Sequence, residues 1–236
     1  GLYLFNIIME RLYAKEFKDP EYFKGARVNI ASMLLDFLGD KKINSVLEIG
    51  CGNGNTGAYL KEKLPHLKYS GVELMSDMAD EAKQKIDFAI QGNVEEMIDD
   101  ENTFIHKEKY DVIMFLDVLE HLFDPWKVAE FFKNRLNEGG IIVGSVPNMG
   151  NYLVSQRLIF NNFRYDASGI LDQTHLRFFT LNSLEDMIEG AGLDTLHLER
   201  HKKRTFIGKI LDTLFSLVGI KQLFVWQFYF IATPKK

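Results

Sequence analysis

The residues with the most chemical promise stand in VLEIGCGNGNTG, where Glu48, Gly50, Gly52 and Gly54 alternate with single intervening residues, Cys51 among them. Gly52-x-Gly54-x-x-Gly57 alone matches the glycine fingerprint of a dinucleotide-binding turn, a weak signal. Glu48 alters that reading: a carboxylate at a strand end repels a pyrophosphate and attracts a cation. S-adenosylmethionine carries a sulfonium and an ammonium and no phosphate, so it is the cofactor expected over this turn, with Glu48 orienting its amino-acid end. The glycines let the backbone come close to it. One strand later, Glu73 and Leu74 in GVEL fall where a carboxylate accepts from both ribose hydroxyls. Asn93 and Val94 in QGNVEEM offer an amide and an apolar edge to an adenine.

A second set of residues would serve a methyl acceptor. Transfer from a sulfonium is an in-line displacement, helped mainly by placing the acceptor in a dry pocket, but an alcohol also needs a base to take its proton. His121, with Asp117 before it, follows a strand-like run, and His175 lies in ILDQTHLRFFT (170–180), a polar cluster among Leu and Phe. Those segments are expected at the ligand rim. The alternative is local: Thr174 capping a turn, His175 satisfying a backbone group and Arg177 pairing with Asp172. Asp117, Glu120 and His121 also form an acidic-x-x-Glu-His cluster able to take a divalent cation, or merely polar residues at a helix start, and no metal is assigned.

Five strand-like runs must position these groups: 45–50, 68–74, 86–92, 110–117 and 140–147. Helical patterns alternate with them, the mark of a parallel α/β sheet. Asp124 before Pro125 reads as an N-cap and first helical residue, and Asn182 with Glu185 as a capping box ahead of a helix that Gly192 stops. Residues 148–180 form a long excursion, followed by strands near 193–200 and in FVWQFYFIAT. One domain over 1–236 is expected: a helical cap (1–40), a cofactor-binding core (41–147), an acceptor-side insertion (148–181) and the rest of the core (182–236). Tyr13, Phe17, Tyr22 and Phe23 would pack the cap on the sheet or form a lid over the cofactor.

The 236 residues are 46% hydrophobic and 26% charged, enough for a sizeable core. A net charge of -5 removes the basic footprint of a nucleic-acid binder. The one cysteine suits a reducing compartment, and a cytoplasmic protein is expected. The apolar N-terminus lacks the basic lead-in of a signal peptide and reads as an amphipathic helix, while Gly1 in place of Met leaves room for a longer natural chain. HKKR (201–204) beside the apolar stripe of 205–220 reads as a solvated loop and a packed helix, or as a weak membrane-surface contact.

Taken with YDVIMFLDVLEHLFDP, these motifs make the chain resemble class I S-adenosylmethionine-dependent methyltransferases over roughly residues 40–200. DVLEHLFDPW, SVPN and GILDQTHLRFFT are similar to methyltransferase domains of bacterial polysaccharide and glycan biosynthesis, and more distantly to ubiquinone-type O-methyltransferases. The resemblance implies a Rossmann-like, mostly parallel seven-stranded sheet with an antiparallel last strand and helices on both faces. It implies O-methylation of a sugar or glycan intermediate, with a quinone-like phenol or a small carboxylic acid as alternatives. The family commonly has Asp where Asn93 stands. With Asp for Glu, the Asp117, Glu120 and His121 pattern resembles a divalent-metal site of some ubiquinone-type members. A nucleotide-dependent oxidoreductase, or a non-catalytic protein that binds an adenosine cofactor, is the rival from another class.

Overall fold

The computed structural model describes residues 25–202 and 222–235. Tyr13, Phe17, Tyr22, Phe23 and most of the basic and apolar stretch at 201–220 lie outside the described residues. The elements run α1 (Val28–Leu38), β1 (Ser45–Ile49), α2 (Asn55–Lys63), β2 (Lys68–Glu73), α3 (Ser76–Ala82), β3 (Phe88–Gln91), α4 (Val94–Met97), β4 (Tyr110–Leu116), α5 (Pro125–Lys133), β5 (Leu136–Pro147), α6 (Tyr152–Ile159), α7 (Leu181–Gly190), β6 (Leu193–His201) and β7 (Gln227–Pro234). A single-turn 3₁₀ helix at Leu119–His121 follows β4.

The seven strands lie in the order β3-β2-β1-β4-β5-β7-β6. Strands β1 to β5 pair in parallel, and β7 runs antiparallel to both β5 and β6. This is the expected Rossmann-like sheet with an antiparallel last strand. Strand periodicity builds its two cores. Ile113 and Phe115 of β4 and Phe228 and Phe230 of β7 face one apolar layer with α5 and α7. Val112 and Met114, with Tyr229 and Ile231, face the other with α1.

Several local expectations are met. Asp124 caps α5, its carboxylate accepting from Lys127 N at 3.0 Å, with Pro125 as the first helical residue. Gly192 takes φ +75 just beyond α7. The cap of α7 differs: Thr180, not Asn182, is the N-cap, and it exchanges bonds with Ser183 rather than Glu185. Phe179 is buried and bridged to Asn148, which holds the chain extended up to Thr180 and sets the helix start there. Strand β5 begins at Leu136 rather than at 140, because Leu136 already pairs with Tyr110 before a register shift that Gly139, at φ +69, accommodates. The excursion also contains α6, capped by Asn151, whose side chain accepts from Leu153 N.

The excursion leaves β5 through a fully buried polar knot. Asn148 donates to Gln222 O and Val225 O, each at 2.9 Å, and accepts from Gly150 N at 2.9 Å. Asn151 adds a 2.8 Å bond to Val225 O. Replacing Asn148 with Ala removes three of these bonds, the Gly150 N–H losing its acceptor, and should destabilise the fold by about 1–3 kcal/mol. Chemical denaturation checks this; an unchanged midpoint would contradict the assignment.

Candidate active site

A cavity of about 190 Å³ opens at the carboxyl ends of β1, β2 and β4, beside the point where strand order reverses between β1 and β4. Open α/β sheets bind ligands at that point. The turn after β1 is glycine-built for a local reason: Gly50, Gly52 and Gly54 take φ +70, +53 and +77. A Cβ on Gly50 would also run into the Val118 side chain, and one on Gly54 into the Ala82 backbone. Gly50, Cys51 and Gly52 line the cavity, whereas Gly54 stands behind it as the left-handed residue that starts α2.

Glu73 fastens this turn from the neighbouring strand. Its two carboxylate oxygens accept from Gly52 N at 2.8 Å and from Met75 N at 3.0 Å, and burial raises its pKa. Each oxygen keeps acceptor capacity toward the cavity. Leu74 and Val94 supply apolar wall. Asn93 also lines the cavity, but its side-chain oxygen caps α4 by accepting from Glu95 N at 2.9 Å.

Glu48 lies deeper, 2% exposed, where it accepts a 2.7 Å bond from the Tyr69 hydroxyl. Burial raises its pKa to about 7; the Tyr69 bond and the Arg27 charge act the other way. Cys51 is buried too, and its thiol is pushed up by burial and by the Glu48 and Glu73 charges, so it is no nucleophile.

Asp117 takes a left-handed φ of 58 at the end of β4. One of its oxygens accepts from Ser145 Oγ at 2.6 Å and from Gln227, and the other pairs with Arg27 at 2.9 Å. Those three partners hold the carboxylate in one place. Arg27 itself gave no signal in the sequence, since a lone Arg belongs to no spacing motif. Its backbone N–H donates to Thr56 Oγ1 of α2 at 3.1 Å, which brings the chain ahead of α1 to the cavity mouth.

On the acceptor side, the excursion is clasped to the turn after β4: Leu176 N and Arg177 N both donate to Glu120 O, at 2.8 and 2.9 Å. His121 lines the cavity; His175 does not, but its ring stands 4.8 Å from that of His121. His121 Nδ1 meets Thr174 O and Thr174 Oγ1, both at 3.2 Å, while that hydroxyl donates to Asp172 at 2.7 Å. Nδ1 therefore carries the proton, and Nε2 holds the lone pair. Burial and the neighbouring His175 lower the pKa of His121 to about 4, so the ring is neutral near pH 7. His175 Nδ1 contacts Ile170 O at 3.1 Å, as in the local alternative to a catalytic role, but Arg177 bonds the Phe123 carbonyl instead of Asp172.

Glu120 is 1% exposed, and burial, reinforced by the Asp117 charge, drives its carboxyl well above the usual range. Its Oε2 has no hydrogen-bond partner. One ligand atom each from Glu120, His121 and His175 lie within 4.8 Å of one another. The grouping thus keeps two residues of the sequence cluster and exchanges Asp117, committed to Arg27, for His175.

The sheet order, the glycine turn and the acidic strand ends define a class I S-adenosylmethionine-dependent methyltransferase architecture. The chain belongs to a methyltransferase-domain family, whose model matches residues 22–198. It is 23% identical over 176 residues to a malonyl-[acyl-carrier protein] O-methyltransferase of Paenibacillus sp., covering 73% of this chain and 63% of that protein. It is 26% identical to a ubiquinone biosynthesis O-methyltransferase of Hydrogenovibrio crunogenus, covering 63% and 61%. It thus spans about three fifths of the length of these curated relatives. Among solved structures, it superposes on a SAM dependent methyltransferase from Archaeoglobus fulgidus with a TM-score of 0.65 at 18% identity, over 92% of this chain and 98% of that one. The plantazolicin methyltransferase BamL, in complex with a triazolic desmethylPZN analog and SAH, gives 0.64 at 16%, over 98% and 97%.

The Glu48 environment sets a pH dependence. A carboxyl whose folded pKa is raised favours the fold below its unfolded pKa, and that contribution is lost as pH climbs through about 7. A cationic ligand favours the ionised form, so its binding should release a proton in slightly acidic buffer. Affinity for S-adenosylmethionine should tighten between about pH 5.5 and about pH 7.5, by at most tenfold per pH unit, and Glu48→Gln should flatten the trend. Calorimetry in buffers of different ionisation enthalpy reads both effects; pH-independent binding by the wild type would remove Glu48 from the cation site.

Proposed function

We propose that this chain is a S-adenosylmethionine-dependent O-methyltransferase whose acceptor is a hydroxyl of a small molecule or glycan intermediate. The observation that carries the acceptor side is His121: it lines the cofactor cavity, neutral, with its tautomer set by Thr174 from the excursion. The cofactor supplies a methyl group on a sulfonium, which leaves as a neutral thioether when the acceptor oxygen attacks. Glu73 and the glycine turn position the adenosine end, and Glu48 and Asp117 favour the positive charge. His121 Nε2 takes the acceptor proton as the oxygen–carbon bond forms, and Asp172, through the Thr174 hydroxyl, keeps the ring in place. The sugar acceptor rests on the motif resemblance; a phenol or a carboxylate is what the named relatives' acceptors suggest. The lone, buried Cys51 is compatible with the cytoplasm. Among the described residues no helix is long and apolar enough to cross a membrane.

A second reading of the same wall is favoured by the unpartnered Glu120 oxygen and the three converging ligand atoms. A neutral imidazole with a pKa near 4 is a weak base but a ready metal ligand. A divalent cation held by Glu120, His121 and His175 would bind the acceptor oxygen and ease its deprotonation.

Labelled methyl transfer over a panel of sugars, phenols and carboxylic acids tests both readings. With His121 as base, His121→Ala should lower turnover by roughly 10²–10⁴-fold with little change in cofactor affinity, and chelators should have no effect. With a metal, chelation should abolish turnover, added divalent cation should restore it, and Glu120→Gln should weaken metal binding measured directly. Full activity in the His121→Ala, His175→Ala double variant, chelator present, would rule out both and point to a carboxylate acceptor.

A further inference from the structure

The excursion carries an apolar surface that neither the core nor the cavity uses. Leu158, Ile159 and Phe160, at the end of α6, are 57%, 78% and 72% exposed. Single apolar residues scattered over a surface need no explanation, but three in a row at a helix end do. Their exposure is built into the local structure. Beneath α6, Val154 packs with Ile170 and Leu171 into a small core of its own. At the far end Asn161 takes φ +50 and donates from its backbone to Leu158 O at 3.1 Å, while Asn162 N donates to Arg157 O at 2.8 Å. The Arg157 guanidinium ties the turn shut, donating to Arg164 O at 3.0 Å and pairing with Asp166 at 2.8 Å. A fastened tip thus presents its apolar side chains outward.

We propose that the end of α6 is a membrane-docking site, which seats Leu158, Ile159 and Phe160 in the interface of an anionic bilayer with Arg164 among its headgroups. Charge selects this partner. In a chain of net charge -5, no Asp or Glu falls between Glu138 and Asp166, and Arg157 and Arg164 are the charged residues of that stretch. Asp166 is paired with Arg157, so the exposed Arg164 sets the sign of the tip. A second copy of this chain, meeting the tip across a two-fold axis, would bring these arginines together with no acid between them. Three apolar residues also fall short of the roughly 20 per side that a stable protein interface uses. An anionic lipid surface asks for neither an acid nor a large flat patch: a few apolar residues beside a cation suffice. Tyr152 and Tyr165, 43% and 57% exposed, suit the headgroup level, where an aromatic ring with a hydroxyl is at home. The tip stands on the same rim of the sheet as the cavity, since α6 follows the carboxyl end of β5 and the same excursion is clasped to Glu120 beyond β4.

Vesicle binding by the purified chain tests the site. Vesicles of phosphatidylcholine with about one third phosphatidylglycerol should bind it more tightly than phosphatidylcholine alone, and raising salt from about 0.05 to about 0.5 M should erase much of the difference. The double variant Ile159→Ser, Phe160→Ser should bind the anionic vesicles at least about 10-fold more weakly, and Arg164→Gln about fivefold more weakly. Both should keep the wild-type denaturation midpoint, since all three side chains are exposed. In Phe160→Trp, vesicles with brominated acyl chains should quench the added tryptophan fluorescence, over the background of Trp126 and Trp226. Absence of binding to anionic vesicles at low salt would overturn the proposal. So would binding that the double variant leaves unchanged, which would put the contact elsewhere on the chain, or a tryptophan at 160 that brominated lipid fails to quench. A concentration-dependent dimer that the double variant abolishes would overturn it in favour of a second copy.

Discussion

The structure turns on the cost of gathering carboxylates at one edge of a sheet. Glu48, Glu73, Asp117 and Glu120 all stand at the carboxyl ends of β1, β2 and β4 or just beyond, and burial disfavours the charge of the three glutamates. The fold answers each in a different way. Glu48 is given a tyrosine hydroxyl, Glu73 two backbone amides, and Asp117 an arginine, a serine and a glutamine. Glu120 keeps one oxygen without a partner. The pairing is complete enough for folding and still leaves the site short of positive charge, a condition that favours a cationic ligand and works against a diphosphate.

Much of this framework was legible in the sequence because it depends on short-range rules. Strand runs with two-residue periodicity, the Asp124-Pro125 start of α5 and the glycine turn after β1 are each decided within a few residues. The cap of α7 was misread because both Thr180 and Asn182 are able N-caps. The choice fell to the burial of Phe179 and its bridge to Asn148, a contact between segments some thirty residues apart. Helix α6 was missed although Asn151 was a usable signal, since the excursion lacked the apolar periodicity of a core helix.

The site residues divide along the same line. Those at strand ends were readable, because a parallel sheet puts every such end on one rim. Arg27 was not, as it reaches the cavity only through a bond to Thr56, and nothing in its neighbours announces that contact. The partnership of His121 with His175 spans 54 positions and depends on Glu120 O accepting from Leu176 and Arg177. The sequence suggested instead that Asp117 would join Glu120 and His121, but the left-handed backbone at Asp117 turns its carboxylate toward Arg27.

That clasp also ties the two halves of the site into one mechanical unit. The Glu120 carbonyl that receives the excursion belongs to the turn directly after β4, and the preceding Asp117 is bonded to β5 through Ser145 and to β7 through Gln227. Thr174, inside the excursion, sets the tautomer of His121 with its own hydroxyl committed to Asp172. A shift of the excursion that parted Thr174 from His121 would remove the carbonyl that favours the proton on Nδ1. Within ILDQTHLRFFT the buried Ile170, Leu171 and Phe179 anchor the segment, and Thr174, backed by Asp172, carries its position to the imidazole at the cavity wall.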